Sequence, residues 1–335
     1  MKYSVIVPVY NRPDEMDELL QSLAAQQTGV DFEVVVIEDG STIDSKSIVE
    51  KYPQLNILYF FKENTGPGDS RNFGMQQATG DYFILFDSEC IIPAHYMVQL
   101  DELLSKNYLD CFGGTDSAQQ NFTTLQKAIN FCMTSRLTTG GVRGNSHQTQ
   151  KFQPRSFNMG LSKKAFEATQ GFGNIHPGED PELVFRLWDL GFKTTLFKDL
   201  SVFHKRRINW SKFFTQVNKF GKVRPILDVW HPAYQQLKYA FPALFILGLD
   251  VALLLAIFGY GSFLGLYGLY FLAVFLEAHF TTQSIANASC SVVAVLVQFY
   301  GYGLGYLESS FWIKFLKKDP KEVFPELFFF CLNHR

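Results

Sequence analysis

Along the first part of the chain, apolar residues fall in short unbroken runs separated by polar loops and by stretches of helical spacing. Tyr3–Val9 (YSVIVPV), Phe32–Ile37 (FEVVVI), Asn56–Phe61 and Tyr82–Phe86 (YFILF) read as strands. Short β-branched or aromatic runs without alternation suit strands covered on both faces. Between them, Asp14–Gln27 sets Met16, Leu19, Leu20 and Leu23 on one helical face, and Ser45–Lys51 and Asp69–Ala78 read as further helices. Strands alternating with helices predict a mostly parallel α/β sheet with right-handed crossovers. Its ligand crevice gathers the loops after the first, second and fourth strands. Strands at Tyr108–Gly114, Arg155–Gly160 and Leu196–His204 and helices at Pro93–Leu104, Ser162–Thr169 and Pro181–Leu190 continue the series.

The pattern then changes. Phe241–Tyr260, Phe263–Phe280 and Ile285–Leu307 are apolar over about one bilayer thickness each. Between Phe241 and Leu307 the only acidic residues are Asp250 and Glu277, and there is no Lys or Arg. A soluble domain followed by a membrane region is the expectation. Before the first span, His204–Arg224 is basic and aromatic, with Trp210, Phe213, Phe214, Val217 and Phe220 at helical spacing. That stretch reads as an amphipathic helix in the membrane interface, in contact with lipid. Basic residues flank the spans on both sides, at Lys205–Arg224 and at Lys314, Lys317 and Lys318. The positive-inside rule would put both flanks in the cytosol, which an odd number of full crossings cannot do. The expected division is 1–225 catalytic, with the interfacial helix in 205–235, then 236–312 membrane and 313–335 tail.

Composition narrows the class. The 335 residues carry a formal net charge of −2, so no basic field favours nucleic acid. The five cysteines are widely spaced, without a CxxC pair, which fits a reduced cytosolic compartment. Met1-Lys2 leads directly into a strand, the expectation being that no signal peptide precedes it.

The loops at the strand ends carry the candidate chemistry. Tyr82–Phe86 stops abruptly at Asp87-Ser88-Glu89. Two acids at i and i+2 on a strand end can reach one divalent cation, and oxygen ligands suit Mg²⁺ or Mn²⁺. An acidic turn is the plain alternative. Asp39, in Glu38-Asp39-Gly40-Ser41, could accept a nucleobase N–H or form an Asx-turn. Arg71 sits in the first turns of the helix after Asn64-Thr65-Gly66-Pro67-Gly68, where a guanidinium beside a helix N-terminus makes an anion site. The glycine-rich Thr138–Ser146, with Arg143, could fold over a substrate or be merely a flexible loop. Glu179 and Asp180 open the helix at Pro181, by default as dipole partners.

Taken together, VIVPVYN (5–11), VIEDGS (36–41), NTGPGDSRNFG (64–74), ATGDYFILFDSE (78–89) and GEDPELVFRLWDLGFK (178–193) resemble a family 2 inverting glycosyltransferase of the GT-A fold. The resemblance covers roughly residues 1–225. It implies a UDP- or GDP-sugar donor, a divalent metal, and in-line displacement with a carboxylate deprotonating the acceptor hydroxyl. Matching positions place Pro8, Tyr10, Asn11, Asp39 and Arg71 around the nucleotide and Asn158 near the donor sugar and acceptor. Asp87 and Glu89 stand where the family has its metal-binding DXD acids, with a longer Glu in second place, and His204 stands where many relatives have a third ligand. Asp180 becomes the expected catalytic base, with Glu179 orienting or capping. Gln216 and Arg224 loosely resemble a membrane-proximal motif of processive relatives, but Pro225 replaces the tryptophan that follows there.

The combined expectation is an enzyme of the inner (cytoplasmic) membrane, multi-pass, with its catalytic domain in the cytosol. It would transfer a sugar to a lipid-linked or saccharide acceptor in surface polysaccharide or glycolipid synthesis. The alternatives are a non-catalytic membrane protein with a degenerate nucleotide-binding domain, and a processive synthase.

Overall fold

The computed structural model describes residues 1–27, 29–117, 123–139, 151–204 and 209–329. The expected glycine-rich loop at Thr138–Ser146 lies, from residue 140 on, outside them. The chain divides into two units, each assembled from separate stretches of sequence. The first comprises 1–119, 147–205 and 328–335, and the second 120–146 and 206–327. The division thus falls at 205/206 instead of 225.

In the first unit the elements are β1 (Tyr3–Val9), α1 (Pro13–Ala24), β2 (Phe32–Asp39), α2 (Lys46–Val49), β3 (Asn56–Lys62), α3 (Pro67–Gln77), β4 (Tyr82–Phe86), β5 (Cys90–Ile91), α4 (Tyr96–Lys106) and β6 (Cys111–Ser117). The chain continues through α5 (Thr124–Thr134) and α6 (Arg136–Thr139), which pack in the second unit. It returns with β7 (Asn158–Ser162), α7 (Lys163–Thr169), α8 (Glu179–Asp189) and β8 (Thr194–His204).

These strands form one sheet ordered β3-β2-β1-β4-β7-β6-β8-β5. β1 pairs in parallel with β2 and with β4, and β2 with β3. β7 runs antiparallel between β4 and β6, and β5 antiparallel beside β8. The mostly parallel α/β sheet predicted from the apolar runs is present. β1 and β4 have the expected bounds because both are buried nearly throughout, so the apolar run and the strand coincide. Met16, Leu19, Leu20 and Leu23 of α1 join Met97 and Leu100 of α4 on one face of the sheet. Met75, Phe166, Leu183 and Leu187 from α3, α7 and α8 cover the other. Two helical layers therefore enclose the sheet, making three layers in all. The parallel register aligns the carboxyl ends of β1, β2 and β3, with Asp39 opposite Lys62.

The second unit is helical: α9 (Trp210–Trp230), α10 (Phe241–Ile257), α11 (Ser262–Thr282), α12 (Ile285–Ser309), a π-helical turn Ser310–Phe315 and the short α13 (Pro320–Val323). Three helices, Leu237–Ile257, Ser262–Thr282 and Ile285–Phe315, are long and apolar enough to cross a membrane. Phe213 and Val217 of α9 are buried with Phe299 of α12 and Ala128 and Ile129 of α5. So part of the apolar stripe expected to face lipid packs internally. α9 and α12 cross closely: a side chain at Gly221 would overlap Tyr302, and one at Gly305 would overlap Asn218. The two acids within these apolar helices have protein partners. Tyr300 donates to Asp250 at 2.6 Å, and Ser135 of the short segment before α6 donates to Glu277 at 2.7 Å. Pairing of this kind is what a low-dielectric surrounding demands of an ionisable group.

Candidate active site

Around the carboxyl ends of β1–β4 the loops are tied to one another by side chains. Asn11, in the left-handed region at φ 54°, accepts through Oδ1 from the amides of Thr42 and Ile43 at 2.8 and 3.0 Å. Its own amide donates to Ser41 at 2.7 Å. The loops after β1 and β2 are thereby fixed together. Pro8 is half-buried in β1, and Tyr10 is 52% exposed at the loop tip.

Asp39 is buried and heavily engaged. Its Oδ1 accepts from Lys62 Nζ at 2.7 Å and from the Thr65 amide at 3.0 Å, and its Oδ2 from the Gly66 amide at 3.0 Å. Lys62 also reaches Asp69 at 3.3 Å and donates to Thr65. A buried carboxylate with a buried ammonium and two amides is well compensated. Asp39 therefore shapes the glycine-rich loop as well as lying on its floor. Glu38 beside it accepts from Ser45 Nα at 2.9 Å and from the hydroxyls of Ser41 and Ser45.

Arg71 links the two acidic motifs. It is 3% exposed, and its Nη2 donates to Asp87 Oδ1 at 2.6 Å while Nη1 lies 3.7 Å from Glu179 Oε1. Residues 87 and 179 are thus brought to one guanidinium. Burial lowers the proton affinity of Arg71, but Asp87, Asp180 and Glu179 raise it further, so the guanidinium stays charged. Its Nε and Nη1 are buried without a hydrogen-bond partner in the protein, as is Asp180 Oδ1. Burial raises the Asp180 carboxyl and the like charge of Glu179 adds to it, against Arg71, Arg155 and Ser156, to about 6. Glu179 moves the other way: burial raises it, but the charge and hydrogen bond of His176, with Arg71, hold it below its ordinary value. His176 Nδ1 lies 3.0 Å from Glu179 Oε1. Burial lowers the imidazole, and Glu179 more than reverses this, so the net direction is upward.

The second strand-end acid has its own cation: Glu89 accepts from Arg12 Nη1 at 3.0 Å, and Arg12 also holds Glu15 at 2.7 Å. Asp87 and Glu89 are 31% and 20% exposed, accessible enough to meet a cation from solution. Among the described residues no group of three or more His, Cys, Asp or Glu gathers as a metal site. Two carboxylates at a strand end nevertheless fit a hard divalent ion, which keeps several waters and needs one or two protein carboxylates. The backbone of His204 is in register with Cys90, the residue after Glu89.

Of the remaining expected residues, Asn158 stands in register with Phe86, the residue before Asp87, and Gln216 and Arg224 belong to the helical unit. Asn158 is fully buried, and its amide donates to the Thr115 and Leu200 carbonyls while accepting from Tyr96 at 2.6 Å, so it ties strands together. Gln216 is exposed on α9 in the helical unit. Arg224, also there, is buried against Asp228 at 3.0 Å and stacks 3.6 Å from the Tyr239 ring. Arg12, Lys62, Arg155, Ser156 and His176 were missed in the sequence. Lys62, ending an otherwise apolar strand beside a glycine-rich loop, was the detectable signal among them.

Residues 4–169 match the family described as Glycosyl transferase family 2. Over 114 residues the chain is 37% identical to the poly(ribitol-phosphate) beta-N-acetylglucosaminyltransferase TarS of Staphylococcus aureus, a match covering 33% of this chain and 20% of that protein. The chain thus spans about a fifth of that relative's length. A longer alignment relates it to the succinoglycan biosynthesis protein ExoA of Rhizobium meliloti, at 24% identity over 71% of this chain and 73% of that one. Residues 1–349 of TarS solved with UDP-GlcNAc share the fold, with TM-score 0.52 and 19% identity over 92% of this chain and 91% of that one. The mannosyltransferase PcManGT from Pyrobaculum calidifontis, solved with GDP-Man and Mn²⁺, gives TM-score 0.56 and 16% identity over 95% and 88%. Family match, fold likeness and the arrangement of the motif residues agree: the chain belongs to glycosyl transferase family 2, and its sheet is a GT-A fold.

Proposed function

We propose that the chain is a membrane-anchored inverting glycosyltransferase that moves one sugar from a nucleotide-sugar donor to a hydroxyl of a lipid-linked or saccharide acceptor. The observation that carries this reading is the convergence of Asp87, Glu179 and Asp180 on the buried Arg71. A buried guanidinium with unpartnered N–H groups suits a diphosphate, and an unpartnered carboxylate oxygen suits a hydroxyl. Those are the two polar partners the reaction needs.

In the proposed reaction Asp180 accepts the proton of the acceptor hydroxyl. The acceptor oxygen attacks the anomeric carbon as the bond from that carbon to the phosphate oxygen breaks, and the nucleoside diphosphate leaves with inversion. Arg71 neutralises charge on the departing diphosphate. Glu179, held as a carboxylate by His176, keeps the proton affinity of Asp180 high enough for a base working near neutral pH. A Mg²⁺ or Mn²⁺ ion held by Asp87 and Glu89, with His204 as a further ligand, would act as Lewis acid toward the diphosphate. The donor is a UDP- or GDP-sugar, in keeping with the ligands named for the structural neighbours. The apolar helices support an active site working beside a membrane, in surface polysaccharide or glycolipid assembly at the cytoplasmic membrane.

The test is release of UDP or GDP from a panel of sugar nucleotides by the detergent-solubilised chain with Mn²⁺ or Mg²⁺. Binding of nucleotide without turnover across the panel and with added membrane lipid extract would favour the non-catalytic alternative. A processive synthase is disfavoured by Pro225 after Arg224 and by the commitment of Arg224 to Asp228.

A further inference from the structure

We infer that Phe328 and Phe329 are positioning residues of the catalytic unit, bracing the loop that delivers Glu179 and Asp180 to the site. The inference rests on the catalytic reading above. Phe328 forms an antiparallel bridge with Ile175, and the Phe329 amide donates to the Asn174 carbonyl at 3.0 Å. The Phe329 ring lies 5.8 Å from the His176 ring, tilted by 52°. The same ring covers Gly66, where a side chain would overlap it and where φ is +91°, a conformation that itself favours glycine.

One aromatic side chain therefore touches both halves of the proposed site. Gly66 belongs to the loop whose amide is held by Asp39, and His176 holds Glu179 next to the base. The two loops also meet directly, since a side chain on Gly68 would come within 3.2 Å of the Gly173 carbonyl. Residues 172–176 and Phe329 line one small cleft together with Thr65, Asp69 and Asn72. The loop before α8 makes the left-handed turn at Gly178, φ +118°, immediately before the acids. Such a turn places Asp180 only as well as the loop is anchored. A main-chain bond and a ring across it supply that anchor from a stretch of sequence more than a hundred residues away. Misplacement of a base by about 1 Å can cost up to about a hundredfold in rate, so the anchor bears on turnover.

The experiment uses the full chain in detergent, with Phe329→Ala, Phe329→Leu and Phe329→Tyr, UDP-GlcNAc and GDP-mannose as probes, and Mn²⁺ present. In Phe329→Ala, kcat is expected to fall about tenfold or more, with donor KM nearly unchanged and hydrogen exchange of the 174–180 amides accelerated. Phe329→Tyr, which keeps the ring, should restore both kcat and protection, and Phe329→Leu should fall between. Wild-type kcat and wild-type protection in Phe329→Ala overturn the proposal. A rise in kcat also overturns it, and would mark the segment as a plug. If the wild type turns over no sugar nucleotide of the panel, with membrane lipid extract added, the catalytic reading fails on that result alone. The exchange comparison still decides the bracing role, which unchanged protection of 174–180 in Phe329→Ala overturns.

Discussion

Replacing Asp180 by Asn keeps the shape of the side chain and removes its charge, and its two consequences run in opposite directions. As proposed base, Asp180 lies where burial and the Glu179 charge raise its carboxyl from the ordinary 3.8 to about 6. A shift of that size corresponds to about 3 kcal/mol of cost for the ionised form in the folded chain. The sign follows from linkage. A carboxyl whose folded value is raised binds its proton more tightly when folded. Its relative contribution to stability is full below the unfolded value and lost as pH rises through about 6. The wild type therefore bears the whole cost near pH 7.5, and Asp180→Asn bears none of it. At about pH 7.5 the variant should melt several degrees higher, and the gap should shrink to roughly half near pH 5. Turnover should drop by about 10²–10⁴, the contribution of a positioned general base. Thermal midpoints at the two pH values, beside UDP or GDP release at saturating donor, test both arms. Full turnover in Asp180→Asn refutes its role as base. A variant less stable than wild type at about pH 7.5 refutes the assignment of a net burial cost to the carboxylate.

Other expectations follow from the same geometry. Turnover of the wild type should fall on the acid side with a midpoint near 6, as Asp180 takes up its proton, in a pH–rate profile. Arg71→Lys keeps the charge but loses the fork that reaches Asp87 and Glu179; nucleoside diphosphate binding should weaken by about tenfold or more in calorimetry. Lys62→Met leaves Asp39 buried beside two amides without its cation, and should cost about 3 kcal/mol in denaturant unfolding. Chelation with EDTA should abolish turnover and Mn²⁺ restore it, with the restoring concentration raised in Asp87→Asn; undiminished turnover in EDTA would contradict a metal at this strand end.

Much of the fold could be read from the chain because its strands are covered on both faces, which writes each as an unbroken apolar run. β1 and β4 are the clearest cases. The direction of β7 was not readable, since antiparallel pairing of a fully buried NMGLS segment leaves no mark on composition. The acids of the site stood out because a charge at the end of an apolar run is unusual. Their cations were half legible: the sequence marks Arg71 as an anion site but not Arg12, and only packing assigns one to Asp87 and the other to Glu89. Asn158 was placed by its motif near the donor sugar and acceptor; packing adds that it pairs with Phe86, beside Asp87, and that its side chain ties strand carbonyls to Tyr96. Short-range pattern also could not reveal that α5, lying in sequence between β6 and β7, packs with α9 and α12.

The interleaving of the two units has a consequence for how the protein is made and handled. A cut after β8 that isolates the nucleotide-binding part would discard Phe328 and would leave α5 without the helices it packs on. During synthesis, too, the sheet can assemble early, but the separate bridge between Ile175 and Phe328 waits until the apolar helices have been translated. Completion of the catalytic unit is in this way made contingent on the rest of the chain, so a product truncated within the apolar helices would lack that bridge.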